Sequence, residues 1–306
     1  MSTTPLISVL LTSYNREALI AESIESVLAQ THRDFELIIS DNCSTDRTVE
    51  IAREYASKDS RIRVSVNARN LGQFENRWQA ATLARGEYLK YHDSDDVMYP
   101  HCLSVMVNAL SAEPRAAFAL SAHSAWQGGP SPMLLTPRLA FEREFLGLGL
   151  FQLGPAAALF RTQAFRDLGG FPLAGVASDY LFWLKACATV NVLLVPADLF
   201  YYRIHEGQEL VGSTTAMEYA RTMTAPGWAM LNSPECPLRG AALARAKRNF
   251  VYVVARGSFR YFRRRRFSAA AAVIRYSGIA PSEWVRYLRP PHRSATAGSP
   301  RRGVRE

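Results

Sequence analysis

The sequence predicts an α/β fold, a mostly parallel central sheet with helices on both faces, and two features of the chain predict it. The first is a set of short, mostly apolar runs of strand length: residues 7–12, 35–40, 62–66 and 88–92. Strands buried on both faces read this way, because helices cover each side of a parallel sheet. The second is that each run is followed by a segment of helical period, so that strand and helix alternate along the first third of the chain.

Taken in order, Ile7-Ser8-Val9-Leu10-Leu11-Thr12 is a buried strand, and Ser13-Tyr14-Asn15-Arg16 turns into a helix with apolar Leu19, Ile20, Ile24, Val27 and Leu28. Phe35-Glu36-Leu37-Ile38-Ile39-Ser40 is the second strand. It ends in Asp41-Asn42-Cys43-Ser44-Thr45-Asp46, where Ser44, Thr45 and Asp46 suit the cap of a helix through Val49, Ile51, Ala52 and Tyr55. A third strand covers residues 62–66, and Asn70-Leu71-Gly72 leads into a helix over residues 74–84 that Gly86 is placed to terminate in a left-handed conformation. The fourth strand, Tyr88-Leu89-Lys90-Tyr91-His92, runs directly into Asp93-Ser94-Asp95-Asp96.

That acidic end is the most informative stretch. Alternation sets Asp93 and Asp95 on one side of the backbone and Asp96 on the other. Converging carboxylates are costly without a cation, and hard ions such as Mg²⁺ or Mn²⁺ take one or two such ligands while a diphosphate supplies others. Ligands of open α/β sheets collect beyond the carboxyl ends of the strands. Tyr14, Asp41 and the Asp93/Asp95 pair sit at three such ends, so they are expected to converge. His92 reads as a core histidine.

The ordered series Ser8-Val9-Leu10-Leu11-Thr12-Ser13-Tyr14-Asn15, Asp41-Asn42-Cys43-Ser44-Thr45-Asp46-Arg47-Thr48, Asn70-Leu71-Gly72, Ala84-Arg85-Gly86-Glu87-Tyr88 and Asp93-Ser94-Asp95-Asp96 resembles the motifs of family 2 glycosyltransferases. The likeness is dense over about the first 100 residues and resumes over residues 160–183 and 201–213. It implies the GT-A fold (Rossmann-like) and an inverting, metal-dependent hexosyltransferase that uses a nucleotide-sugar. On this resemblance, Thr12, Tyr14 and Asn15 surround the nucleobase, with Tyr14 as a stacking face. Asp41 accepts from the base edge, and Asp93 with Ser94 meets the ribose. Asn70 belongs to the same nucleotide-sugar set, though Asn-x-Gly is also a plain turn signal. Asp95 holds the metal, Mn²⁺ or Mg²⁺, that bridges the diphosphate.

The second half is expected to bind the acceptor. Ala156-Ala157-Ala158-Leu159-Phe160 reads as a strand, and Leu168-Gly169-Gly170-Phe171-Pro172 as a tight turn. Ser178-Asp179 then opens a helix, and Asp179 matches the family's catalytic base. Inversion needs such a base to take a proton from the attacking hydroxyl. Where the family often has Glu-Asp, this chain leaves a single carboxylate. In Tyr201-Tyr202-Arg203-Ile204-His205, Arg203 is placed to meet the diphosphate and His205 to add a metal ligand. No Gln-x-x-Arg-Trp motif follows, so transfer of one sugar is expected. Trp126 to Pro137 reads as a loop.

The 306 residues are 48% hydrophobic and 21% charged, an ordinary globular composition. Cys43, Cys102, Cys187 and Cys236 are widely spaced, as reduced cytosolic thiols would be. No run has the length of a membrane span, and no secretory signal is evident. Charge is lopsided: residues 238–306 carry seventeen Lys/Arg against Glu283 and Glu306, a net of +15, whereas residues 1–237 carry −6. Aromatic residues interleaved with Arg260 and Arg263-Arg264-Arg265-Arg266 suit an anionic membrane surface, and no nucleic-acid motif accompanies them.

The expected organisation is a catalytic domain over residues 1–237, with a nucleotide-sugar half (1–110) and an acceptor half (111–237). A basic helical extension (238–291) and a disordered tail (292–306) follow. The expected location is cytoplasmic, peripheral on the inner membrane's cytoplasmic face, and the expected partners are a UDP- or dTDP-sugar and a glycan or lipid-linked acceptor of cell-surface polysaccharide synthesis. Two rival readings remain. A non-catalytic nucleotide- or membrane-binding relative would be indifferent to Asp179. A nucleotidyltransferase would carry a Gly-rich basic loop where this chain has Thr12-Ser13-Tyr14-Asn15-Arg16.

Overall fold

The computed structural model describes residues 6–122, 131–147, 149–196, 198–205 and 215–288. The expected tail 292–306 and the stretch from Glu206 to Ser213 lie outside the described residues. The chain runs β1 (Ile7–Ser13), α1 (Ile20–Leu28), β2 (Phe35–Asp41), α2 (Thr48–Lys58), β3 (Ile62–Val66), α3 (Gln73–Thr82), β4 (Tyr88–Asp93), β5 (Val97–Met98), α4 (Cys102–Ala112), β6 (Ala116–Ser121), β7 (Met133–Leu135) and α5 (Pro137–Leu146). It continues with β8 (Ala158–Arg161), α6 (Thr162–Asp167), α7 (Ser178–Thr189), β9 (Asn191–Val195), β10 (Phe200–Tyr201), α8 (Ala216–Tyr219), α9 (Ala225–Asn232), α10 (Gly240–Arg263), α11 (Phe267–Tyr276) and α12 (Pro281–Leu288).

Among the described residues the main sheet has the order β3-β2-β1-β4-β8-β6-β9-β7. The first four are mutually parallel. β8 enters antiparallel between β4 and β6, β9 is parallel to β6, and β7 closes the edge antiparallel to β9. The mostly parallel sheet expected from the sequence is therefore the one present. Both of its faces are dry. Val9, Leu11, Leu37 and Ile39 pack with α1, α2 and α4, whereas Leu10, Ile38, Leu89, Tyr91, Phe118 and Phe160 pack under α3, α5, α6 and α7. Because successive strand residues point to opposite faces, a strand covered on both sides is largely apolar, and the polar exceptions here (Ser8, Glu36, Lys90) are hydrogen-bonded inside. The basic helices belong to this interior as well: Ala246, Val251, Val254, Val273 and Ile279 sit in the same apolar cluster as Phe160.

Three local expectations are corrected. Helix α3 ends at Thr82 with Leu83 in a right-handed conformation, and Gly86 is not left-handed. Gly86 lies against β1, where a Cβ would stand 2.6 Å from the Ser8 amide nitrogen, so close approach explains the glycine there. Residues 155–157 form a 3-10 turn ahead of β8 instead of the strand's first half, because Pro155 starts it. The loop expected to reach Pro137 instead contains β7, and Pro137 is the first residue of α5. The missing N–H of a proline costs nothing at that position, and Thr136 caps the helix by accepting from Leu139 N.

Candidate active site

The carboxyl ends of β1, β2 and β4, the start of α3, the turn at Gly154-Pro155, the start of α7 and the segment after β10 enclose a cavity of about 610 Å³. Thr12, Tyr14, Asn15, Asn70, Asp93, Ser94, Asp95 and Asp179 line it. The structure thus brings together eight of the residues singled out in the sequence. Asp41, Arg203 and His205 are not on its wall.

Each wall has a local cause. Beyond β1 the chain turns at Asn15 with φ 49°, a left-handed conformation that asparagine tolerates. Its Oδ1 accepts from Thr45 N at 2.9 Å and its own N–H donates to Ser44 Oγ at 2.9 Å. These bonds tie the β1 loop to the β2 loop and leave Tyr14 42% exposed over the cavity. Asp41 is wholly buried behind this rim. Ser13 Oγ donates to it at 3.1 Å, and Ser44 donates through N and Oγ at 2.8 and 2.6 Å. Asn70 Oδ1 accepts from Asn42 Nδ2 and from Gly72 N, both at 2.8 Å, so its turn role and its place on the wall coexist. Asp46 accepts from Thr48 N at 3.0 Å, which makes it the anchor of α2.

β4 ends at Asp93, and the following turn directs Asp93 and Asp95 to the cavity while Asp96 turns into the interior. Asp93 pairs with Arg77 of α3 (Nη2–Oδ1 2.5 Å). Arg77 is buried, and its Nε and Nη1 have no hydrogen-bond partner among the described residues. Asp95 Oδ2 accepts from Arg16 Nε at 3.1 Å and meets His205 Nε2 at 3.0 Å. Arg203 donates from Nε to the Asp95 carbonyl at 3.0 Å, from its backbone N–H to Asp96 Oδ1 at 3.1 Å and from Nη2 to Glu22 Oε2 at 2.6 Å. It therefore clamps the acidic turn from behind. Burial raises the Asp96 carboxyl to about 7, with the neighbouring Asp93 charge adding to it, and its Oδ2 has no hydrogen-bond partner among the described residues. Burial holds His92 at about 3, so it is a neutral core histidine. Lys90 is also completely buried, its ammonium donating to the carbonyls of Tyr91 and Ala156. Burial lowers its affinity for the proton.

Asp179 is the second residue of α7. Its Oδ1 accepts from Tyr180 N at 2.7 Å. Desolvation raises its carboxyl to about 6, and Arg77 works against that rise while Asp93 adds to it. The Gly-Gly turn ahead of it is packed onto α3: Gly169 and Gly170 have φ of 81° and 64°, and a Cβ on Gly170 would strike the Trp78 ring at 2.5 Å. The tight turn is thus required by conformation and by space.

Arg77, Arg16, Asn42 and Tyr202 are cavity residues that sequence reasoning did not single out. Arg77 left a signal, since it lies three residues after Phe74 and four before Ala81 on the buried stripe of α3. A cation on an apolar stripe demands a buried anion.

A metal is tested by the donors present. Among the described residues no three His, Cys, Asp or Glu side chains form a metal-binding group. Asp95 Oδ2 and His205 Nε2 do converge, at 3.0 Å. Adjacent ligands of an octahedral Mg²⁺ or Mn²⁺ are about 3.0 Å apart, given ligand bonds of about 2.1 Å. A carboxylate and an imidazole are donors such an ion takes, but here they are hydrogen-bonded to each other and Arg16 Nε shares the Asp95 oxygen, so an ion would have to displace those bonds.

A model of Glycosyl transferase family 2 matches residues 8–169. The chain belongs to this family. Relatives include WcaA of Escherichia coli strain K12, whose name places it provisionally in colanic acid biosynthesis as a glycosyl transferase. It is 34% identical over 163 residues, which cover 49% of this chain and 58% of WcaA. TuaG of Bacillus subtilis strain 168, named provisionally as a teichuronic acid biosynthesis glycosyltransferase, is 42% identical over 92 residues, covering 30% of this chain and 36% of TuaG. The matched stretch spans between 12% and 39% of the length of the first three curated relatives. In fold, the family 2 chain resembles Staphylococcus aureus TarS 1-349 in complex with UDP-GlcNAc, with TM-score 0.62 and 22% identity over 92% of this chain and 79% of that one. It also resembles the Pyrobaculum calidifontis mannosyltransferase PcManGT in complex with GDP-Man and Mn²⁺, with TM-score 0.61 and 17% identity over 94% and 88% of the two chains. The GT-A architecture with a helical C-terminal region is therefore that of this family 2 member.

Proposed function

We propose that this chain is an inverting glycosyltransferase moving one sugar from a UDP- or dTDP-linked donor to a hydroxyl of a glycan or lipid-linked acceptor in bacterial surface polysaccharide synthesis. The observation that carries the reading is that Asp95 and Asp179 line one cavity: a carboxylate just beyond a parallel strand's end, and a desolvated carboxylate held near 6. The names of the polysaccharide-biosynthesis relatives and the UDP-GlcNAc complex of TarS support the donor and acceptor classes.

In this reading Tyr14 stacks on the base, with Thr12 and Asn15 beside it, and Asp93 and Ser94 take the ribose hydroxyls. Asn70 shapes the neighbouring wall. Asp41 acts through Ser13 and Ser44, fixing the rim that holds the base. Arg203 fixes the acidic turn, and Arg16 brings positive charge to the diphosphate end. Asp95 and His205 would hold a Mn²⁺ or Mg²⁺ ion, which when bound neutralises charge on the departing diphosphate. Asp179 accepts the proton of the acceptor hydroxyl as that oxygen attacks C1 from the face opposite the diphosphate. The enzyme works at the cytoplasmic face of the membrane, bound peripherally through its basic helices. No helix of the described residues is long and apolar enough to cross a membrane.

The first test is thermal stability of the purified chain titrated with UDP, dTDP and GDP, with Mn²⁺ and with chelator. A metal-dependent shift with UDP or dTDP is expected. No shift with any nucleotide would sink the donor-site reading.

A further inference from the structure

The corner between α10 and α11 carries an aromatic surface that glycosyl transfer does not use. Phe259, Phe262 and Phe267 are 59%, 55% and 57% exposed. Their rings nevertheless pack on one another, with centroids 6.3 and 5.3 Å apart. The corner itself is Arg263-Arg264-Arg265-Arg266, all exposed. It is an ordered turn: Arg265 N donates to the Phe262 carbonyl at 2.9 Å and Arg266 N to the Tyr261 carbonyl at 3.0 Å, with Arg265 at φ 56°.

The surface continues along both helices. On α10, Arg245, Arg248, Tyr252, Arg256, Phe259 and Arg263 recur every three or four residues on the exposed face, opposite buried Ala246, Val251, Val254 and Ser258. On α11, Phe267, Ala271 and Ile274 make an exposed stripe opposite Ala270 and Val273. Residues 240–288 hold eleven Lys/Arg and one acid, Glu283. That carboxylate accepts from Ala280 N at 3.1 Å.

We propose that this corner is a membrane-insertion wedge: Phe259, Phe262, Phe267 and Ile274 enter the acyl boundary of an anionic bilayer while the arginines lie among its headgroups. The proposal sharpens the peripheral attachment stated above and rests on it for location, but not on any chemistry of the cavity. Three features select lipid as the partner. The charge requires an anionic surface, and exposed aromatic side chains beside arginines are what an interfacial helix presents. The aliphatic Ile274, with Val253, Val285 and Leu288 also exposed nearby in the chain, offers no face for stacking on a nucleobase and gains only from hydrocarbon. The rings are preassembled in contact, so insertion carries a small ordering cost.

The test is flotation of the full chain with vesicles of phosphatidylcholine alone or with about 30% phosphatidylglycerol. Wild type is expected to bind the anionic vesicles at least about tenfold better. The triple variant Phe259→Ser, Phe262→Ser, Phe267→Ser is expected to lose about tenfold or more of that binding. Phe262→Trp should show blue-shifted emission on binding, quenched by brominated acyl chains. Failure to bind anionic vesicles overturns the proposal, and so does a triple variant that binds like wild type. Unshifted Phe262→Trp emission would place the corner outside the hydrocarbon and overturn insertion. Binding to single-stranded RNA by a chain that ignores vesicles would assign the face to nucleic acid instead. The nucleotide-dependent thermal shift, measured on the same variants, reports folding and the donor site separately. Failure of the donor reading would leave vesicle binding intact, and failure of the wedge would leave the nucleotide shift intact.

Discussion

The two sides of the cavity are built by different means. From Thr12 to Asp95 the wall consists of strand ends and the loops tied to them: Asn15 bonded to Thr45 and Ser44, Asp41 to Ser13 and Ser44, Asp93 to Arg77. Every polar group there has its place set by a parallel sheet buried on both faces. From Gly154 to Tyr202 the wall comes from a 3-10 turn, the first residues of α7 and a segment after a two-residue strand. Hydrogen bonds from other elements hold that side: Lys90 on the Ala156 carbonyl, Trp183 on the Leu153 carbonyl and Arg203 on the acidic turn, while Asp179 accepts from Tyr180 N. In the proposed division, the sheet-built side would take the donor, and the side made of turns and helix ends could change for a particular acceptor without disturbing the sheet.

If the sides divide the work in this way, substitutions on the second should change turnover and leave nucleotide binding alone. The largest effect is expected from Asp179→Asn: turnover falls by about 10³-fold, while the nucleotide-dependent thermal shift stays at the wild-type value. Loss of both together would break the division. On the first side, Asp95→Ala should abolish the metal-dependent part of the nucleotide shift, read as equal shifts with Mn²⁺ and with chelator. Tyr14→Ala should weaken nucleotide affinity about tenfold by removing a stacking face, measurable by calorimetry.

The two sides also meet electrostatically. If Asp179 is the base proposed above it acts only as the carboxylate, and kcat/KM should then fall as pH drops through about 6. Removing the Arg77 cation withdraws what favours that carboxylate, and Arg77→Met should move the acidic limb to higher pH. Asp93→Asn removes a repelling charge and should move it lower. Movement of both limbs in one direction would contradict the arrangement. The smallest effect is expected from Gly86→Ala, which touches neither ligand. A Cβ pressed onto the Ser8 backbone should cost about 1–3 kcal/mol and lower Tm by about 3 °C or more, with unchanged nucleotide affinity in the folded protein.

The same contrast explains what the sequence revealed. The first four strands were legible because burial favours short runs rich in Val, Ile, Leu and aromatic residues, and the ends of β1, β2 and β4 were legible because polar residues cluster there. The turn at Pro155 and the strand at Met133–Leu135 were not. Three residues give no period to count, and proline breaks a strand or opens a helix with the same single letter. Asp179 stood out because a charge follows a glycine turn at a helix start. Arg77 gave half a signal: a guanidinium on the buried stripe of α3 asks for an anion, but only the structure shows that the anion is Asp93. Asp41 and Arg203 carry the reverse lesson. Residue type and position marked them as contacts, but a buried carboxylate with three donors and a guanidinium spread over Asp95 and Glu22 are occupied with holding the wall.

Lys90 has a consequence for how such proteins can change. Its ammonium sits within the strand that ends in the acids, yet it is anchored on the carbonyl of Ala156, in the turn that carries Pro155 to the opposite wall. A segment grafted from a relative in place of residues 150–205 would leave the buried amine with the Tyr91 carbonyl alone unless its own turn offered a carbonyl at the same point. Chimeras that keep the turn or replace the lysine should therefore be the most stable, as thermal melts of matched pairs would show.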